Sequence, residues 1–328
     1  MALQLKLWNC IKHDGSRVLV AMPGCCHMAI ASTEFLKSSD PGCNVYVILN
    51  GVTAWEAKQF KQSMTAHNVR VIQLQAWPGL NGAPLPHCKV LNILIMSCSC
   101  VFWAVDHDCF VLNNALLLQT ERQLLHGRNV AASLFSSPTS INHVNKPHTF
   151  LVCINPPLMR KVFSKYHISA CPTQWATLSS EARKCLLSLG FSEDMKPEPR
   201  AGCWADTLAT AALLAYQEGT PYYFPRSYPP GFHLNQVAIH FGNTSNPEFS
   251  PLPAPYDDQA LARVRYSRIG AYAWRMLLER PSCFGFKEKY LSRRPDLSDQ
   301  EKLECGLRDA KVPQSLISDI KSLISSRL

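Results

Sequence analysis

The stretch Val101–Leu112, VFWAVDHDCFVL, decides how the rest of the chain is read. A run of apolar residues leads into Asp-His-Asp and then returns to apolar residues. The run reads as a buried β-strand. Two carboxylates at the mouth of such a strand are costly to desolvate unless a cation offsets them. In an extended chain, positions i and i+2 face the same side, so Asp106 and Asp108 share a direction and His107 takes the other. A hard divalent cation suits that pair, because Mg2+ and Mn2+ prefer oxygen ligands and keep positions open for phosphate oxygens. A polar turn joining two elements is the plain alternative for the same three residues.

Upstream of this stretch, short β-branched runs alternate with helical patterns. Arg17–Met22 reads as a strand, ended by Pro23-Gly24, and Cys26–Lys37 as a helix. Val45–Leu49 is a second strand, ended by Asn50-Gly51. Thr53 and Glu56 then make a capping box for a helix that runs to about Ala66. Val69–Leu74 is a third strand, Pro86–Met96 a helix, and Cys100–Val105 a fourth strand. Continuous apolar strands alternating with helices imply an α/β fold with a mostly parallel central sheet, covered by helices on both faces. Such sheets bind ligands beyond the carboxyl ends of their strands, where Asn50, the Trp77–Gly82 loop and Asp106–Asp108 fall.

Downstream the pattern changes. Asn129–Phe135 and Thr149–Asn155 read as strands and Leu158–Lys165 as a short helix. Ser180–Leu189 is a helix closed by Gly190, and Asp206–Glu218 another closed by Gly219. A Pro- and Tyr-rich loop, Thr220–Phe232, precedes a short strand, Val237–His240. After a Pro-rich link, Pro247–Tyr256, the tail reads as helical. Ser298 and Glu301 make a capping box there, and Leu316, Ile320, Leu323 and Ile324 form one apolar stripe. The expected division is a catalytic domain over 1–250, with a nucleotide half at about 15–112 and an acceptor half at about 113–250. A helical C-terminal extension covers 251–328.

Composition narrows the class. The chain has 328 residues, 47% apolar and 17% charged, enough apolar content to bury a core and too much for a disordered chain. The first ten residues lack the pattern of a secretory leader, and the apolar run Val90–Val105 is too short to span a bilayer. The expectation is therefore a cytoplasmic protein whose cysteines stay reduced. Fourteen cysteines include no Cys-x-x-Cys pair, which argues against a structural zinc site. Of the net charge of +9, six units come from Gln259 onward, where fourteen Lys/Arg face eight Asp/Glu. That skew suits an anionic partner or a peripheral membrane contact. No basic run with interleaved aromatics supports nucleic-acid binding.

Three segments carry a family resemblance. VYVILNGVTAWEAKQFKQSMTAHNVRVIQL (Val45–Leu74) resembles the second strand, helix and third strand of GT-A glycosyltransferases, the nucleotide-diphospho-sugar transferase superfamily. NGAPLPHCKVLNILIMSCSCVFWAVDHD (Asn81–Asp108) resembles the helix and fourth strand that end at the Asp-x-Asp metal motif of that family. VAIHFGNTS (Val237–Ser245) resembles the His-x-Gly strand end that returns to the metal. The resemblance spans about residues 15–245, and the order of the motifs carries it.

It implies a metal-dependent transfer of a sugar from a UDP- or GDP-sugar to a hydroxyl of a sugar, lipid or protein. Asp106 would lie near the donor ribose and the metal, Asp108 would be the main ligand, and His240 a third. The imidazole favours Mn2+ over Mg2+. Pro23 and Asn50 occupy the base and ribose positions, and Lys89 stands where a cation could meet the diphosphate. Asp206, in GCWADTLATAALLAYQEG, resembles the Trp-x-Asp-Thr element of some members and is the candidate base; as a residue it reads equally as a helix N-cap. Trp204, Tyr222, Tyr223 and Tyr228 could form an acceptor wall. The Glu-Asp pair of many members and the Gln-x-x-Arg-Trp motif of processive synthases are absent, which argues against a processive enzyme. Two rival readings are a nucleotidyltransferase on a related fold, disfavoured by the single Gly in PGCCHMA, and a non-catalytic sugar-nucleotide-binding scaffold, disfavoured by the intact Asp pair.

Overall fold

A computed structural model describes residues 11–23, 25–52, 54–74, 84–111, 114–134, 136–141, 144–197, 202–219, 233–234 and 238–240. The elements run β1 (Ser16–Ala21), α1 (Cys26–Ser39), β2 (Val45–Asn50), α2 (Ala54–Ser63), β3 (Arg70–Leu74), α3 (His87–Ser97), β4 (Phe102–Asp106) and β5 (Cys109–Val111). They continue with α4 (Ala115–His126), β6 (Ala131–Ser133), β7 (Ser136–Pro138), β8 (Asn145–Pro147), β9 (Leu151–Ile154), α5 (Pro156–Tyr166), α6 (Ser180–Ser188), α7 (Ala209–Gln217), β10 (His233–Leu234) and β11 (Ala238–His240).

Six strands form a mixed, mostly parallel sheet in the order β3-β2-β1-β4-β9-β6, flanked by helices. The expected α/β class therefore holds. β2 and β3 pair in parallel, Tyr46 with Arg70 through Asn50 with Leu74. β9 runs antiparallel to both β4 and β6, which makes the sheet mixed. Every residue of β1 and β2 is buried, as the unbroken apolar runs require of strands covered on both faces.

The described residues divide into two compact units. One takes those within Met1–Val18, Leu85–Asp106 and Ala115–Pro230; the other takes those within Leu19–Pro84, His107–Asn114 and Gly231–Leu328. In the first unit, β6 and β9 lie against α4, and α3 packs on α5. Arg160 of α5 donates to the Ile95 and Cys98 carbonyls at 2.7 and 2.6 Å, a cation placed on the carboxyl end of α3. α7 is buried at every position from Ala209 to Ala215, against α5, α6 and β8, so its apolar residues cover its whole circumference. In the second unit, α1 packs on β2, α2 and β5. Ser32 of α1 donates to the Cys109 carbonyl at 2.6 Å, tying the helix to β5.

The main departures from expectation lie in the second half. α4 and the β7–β8 hairpin were not foreseen. The helix expected from Asp206 begins at Ala209, because Leu208 takes a left-handed φ of 60° and ends the preceding turn. Among the described residues no helix is long and apolar enough to cross a membrane. The Thr53 cap, the Trp77–Gly82 and Thr220–Phe232 loops and the C-terminal extension lie outside the described residues.

Candidate functional site

Four of the residues singled out in the nucleotide half sit at or just past strand ends. Pro23 follows β1 and is buried; Asn50 is the last residue of β2; Asp106 is the last of β4; Asp108 lies in the turn before β5. The exit from β2 is fixed by Gly51, whose φ is +70° and whose absent Cβ would stand 2.9 Å from Pro84 Cα. Only glycine fits there, and it sets the backbone that presents Asn50. Asn50 is 1% exposed, with Nδ2 3.3 Å from the Met22 sulfur.

In the unit that holds β5, Asp108 is 4% exposed. Burial, then the charges of Asp108 and Glu56, push the Cys25 thiol far above its ordinary range. Two carboxylates thus act on one buried thiol, and Glu56 is itself only 1% exposed. The sequence reads Glu56 as a helix-capping residue, and its burial beside Cys25 and Cys26 is not legible from that pattern. His107 is buried, with Nδ1 3.2 Å from the Val20 carbonyl oxygen, a contact that needs the proton on Nδ1. β5 pairs antiparallel with β11, and the register sets His240 opposite Cys109, the residue after Asp108. The ladder continues to β10, with His233 opposite His240.

In the other unit, Asp106 is about a quarter exposed, and His87 Nε2 lies 3.4 Å from its Oδ1. His87 opens α3 and was missed from sequence; its one signal is its place directly after Pro86, where the helix starts. Lys89 is exposed on the first turn of the same helix.

Asp206 does not cap α7. Its Oδ1 accepts from the Thr207 backbone N–H at 2.7 Å, a bond within its own turn. Trp204, expected on an acceptor wall, is a core residue. It is 2% exposed, its indole N–H donates to the Ser192 carbonyl at 2.7 Å, and its ring meets Trp175 and Phe191 at centroid distances of 5.0 and 6.3 Å. A side chain so enclosed presents no face to an acceptor. Tyr222, Tyr223, Tyr228 and the His240 side chain lie outside the described residues.

Carboxylate oxygens and an imidazole are, in kind, ligands of a hard or borderline divalent ion. Among the described residues no three His, Cys, Asp or Glu side chains form a metal-sized group.

Solved glycosyltransferases are similar to this chain. The galactosyltransferase LgtC, solved with donor and acceptor sugar analogues, is 14% identical, with 44% of this chain and 59% of that one covered and a TM-score of 0.33. Mouse xyloside xylosyltransferase 1 is 9% identical over 65% of this chain and 85% of its own, at a TM-score of 0.41. The glycosyltransferase GlyE of Streptococcus pneumoniae is 12% identical over 66% of this chain and 45% of its own, at 0.34. The match thus spans about three fifths of LgtC's length. Scores of this size fix neither an activity nor a substrate. No family profile matches the chain, and no curated protein does.

Proposed function

We propose that the chain is a metal-dependent glycosyltransferase that moves a hexose-type unit from a nucleotide-diphosphate sugar to a hydroxyl acceptor. The observation that carries this reading is the setting of Asp108. It is a buried carboxylate in the turn after an apolar strand, it shares its surroundings with Glu56, and the next residue pairs with His240. A divalent cation would offset part of the cost of burying such a carboxylate.

In this reading Asp106, Asp108 and His240 hold Mn2+, or Mg2+ in its place. The ion supplies Lewis-acid neutralisation of the diphosphate leaving group when bound. Asn50 offers its amide to the ribose or base of a UDP- or GDP-sugar, held by the glycine-fixed exit of β2, and Pro23 walls the same donor. Lys89 offers a cation to the diphosphate. Asp206 takes the proton of the attacking hydroxyl. The acceptor is a hydroxyl of a sugar, lipid or protein, contacted by Tyr222 and Tyr223, and the basic C-terminal region favours a peripheral membrane contact.

The test is calorimetric titration of UDP- and GDP-sugars, in Mn2+ and in EDTA, on the wild type and on Asp108→Asn. The expected result is Mn2+-dependent donor binding, weakened in the variant by about tenfold or more. Donor binding with the same Mn2+ dependence in both proteins would overturn the reading.

A further inference from the structure

Five of the eleven described cysteines behave as small apolar core residues. Cys25, Cys26, Cys98, Cys109 and Cys153 are buried, and burial pushes the Cys98 thiol up to about 12. Cys88 and Cys171 differ. Both are half-buried and unbridged, and they come from distant parts of the sequence.

Two independent features bring them together. Cys88 and Asn92 lie four residues apart on α3, so they share one face a turn apart. Asn92 Oδ1 accepts from the Ala170 backbone N–H at 3.2 Å, which docks the loop after α5 onto that face. The next residue in the loop is Cys171, near enough to the Cys88 thiol to help raise it. The loop is also braced from within. Cys171 N–H donates to Ser169 Oγ at 3.3 Å, and Thr173 Oγ1 donates to the Cys171 carbonyl at 3.4 Å. One sulfur is therefore held on a helix and the other on a pinned loop. Cys98 and Cys100 also lie close, but a link between residues two apart would constrain little.

We propose that Cys88 and Cys171 are a disulfide-forming pair that staples the first turn of α3 to the loop after α5. With a small-molecule disulfide such as oxidised glutathione as oxidant, one protein thiolate attacks a glutathione sulfur and releases one glutathione. The second protein thiolate then attacks the protein-bound sulfur, the mixed disulfide breaks, and the second glutathione leaves. Two protein thiols and one glutathione disulfide give one protein disulfide and two reduced glutathiones. Burial, then the neighbouring thiol, raises Cys88 to about 11, so the thiolate is scarce at neutral pH and the exchange is slow. The staple closes a loop of about 80 residues, long enough to restrict the unfolded chain substantially. It also fixes the turn that carries His87, whose ring contacts Asp106.

The experiment incubates the full chain with oxidised glutathione for hours, then maps peptides by mass spectrometry without reduction and follows thermal unfolding. The expected results are a Cys88–Cys171 linked peptide and a rise in Tm of roughly 5 °C over the reduced protein. That rise should be absent from both Cys88→Ser and Cys171→Ser and retained in Cys203→Ser. Oxidation that leaves only glutathione adducts on the two residues, or that links either one to a different cysteine, would overturn the proposal. These outcomes do not depend on whether the protein binds a sugar nucleotide.

Discussion

Arg17 and Asp108 are both buried charges, and they sit in different settings. Arg17 is 1% exposed and sits among groups that compensate it. It meets Glu121 at 3.0 Å, donates to the Gly15 carbonyl and lies 5.8 Å from the centre of the Trp103 ring. Asp108 is 4% exposed, and its neighbourhood adds a second carboxylate, Glu56, whose charge reaches the same thiol. A charge met by its opposite serves the fold. Under the proposed function, the second setting is the one a divalent cation would join.

The strongest way to break the contrast is Arg17→Ala. Removing one member of a buried pair strands the other, so unfolding free energy should fall by about 3–5 kcal/mol, read from the denaturant midpoint. A loss near zero would mean that Glu121, 13% exposed, relaxes into water and that the pair is not structural. The next largest effect is metal removal. At a Mn2+ concentration about 100 times its Kd, ligand linkage stabilises the wild type by about 2.7 kcal/mol. EDTA should abolish the matching Tm rise, and Asp108→Asn should lack it from the start. A Tm rise that survives in the variant would place the ion elsewhere. The smallest effect sharpens the contrast from the exposed side. Glu218 is bonded to Lys165 at 2.8 Å and to Tyr166, and these bonds hold its carboxyl below the ordinary value of 4.5. A lowered folded value stabilises above that range and is lost as pH falls through it. The Tm gap between wild type and Glu218→Gln should therefore be present at pH 7 and close below pH 4. A gap that persists at low pH would mean that packing, not charge, sets it.

The first half of the fold was readable because burial on both faces demands unbroken apolar runs. β1, β2 and β4 appear within two residues of where those runs place them. α4 escaped notice for an equally physical reason. It buries Leu117, Thr120 and Leu124 but exposes Leu118 and Leu125, so its apolar residues point both ways and blur the stripe. The β7–β8 hairpin is three residues on each side and includes Pro138 and Pro147, which weaken any strand pattern. Past β4, Asp106 and Asp108 stand out in the sequence, because acids beside an apolar strand are rare enough to mark. Their surroundings do not. Nothing local links Glu56 to Asp108 or His87 to Asp106, since those relations are made by tertiary packing. Trp204 misled because an aromatic near a candidate base reads the same whether it lines a cleft or fills a core. Only its 2% exposure separates the two.

The ladder between β5 and β11 joins residues about 130 positions apart. During synthesis at about 5–20 residues per second, β5 leaves the ribosome on the order of ten seconds before its partner strand exists. Throughout that interval the Asp-His-Asp turn has neither its neighbouring strand nor the imidazole that strand carries. The edge of β5 that β11 covers therefore stays unpaired until the chain has reached His240, so this ladder is among the last parts of the fold to close.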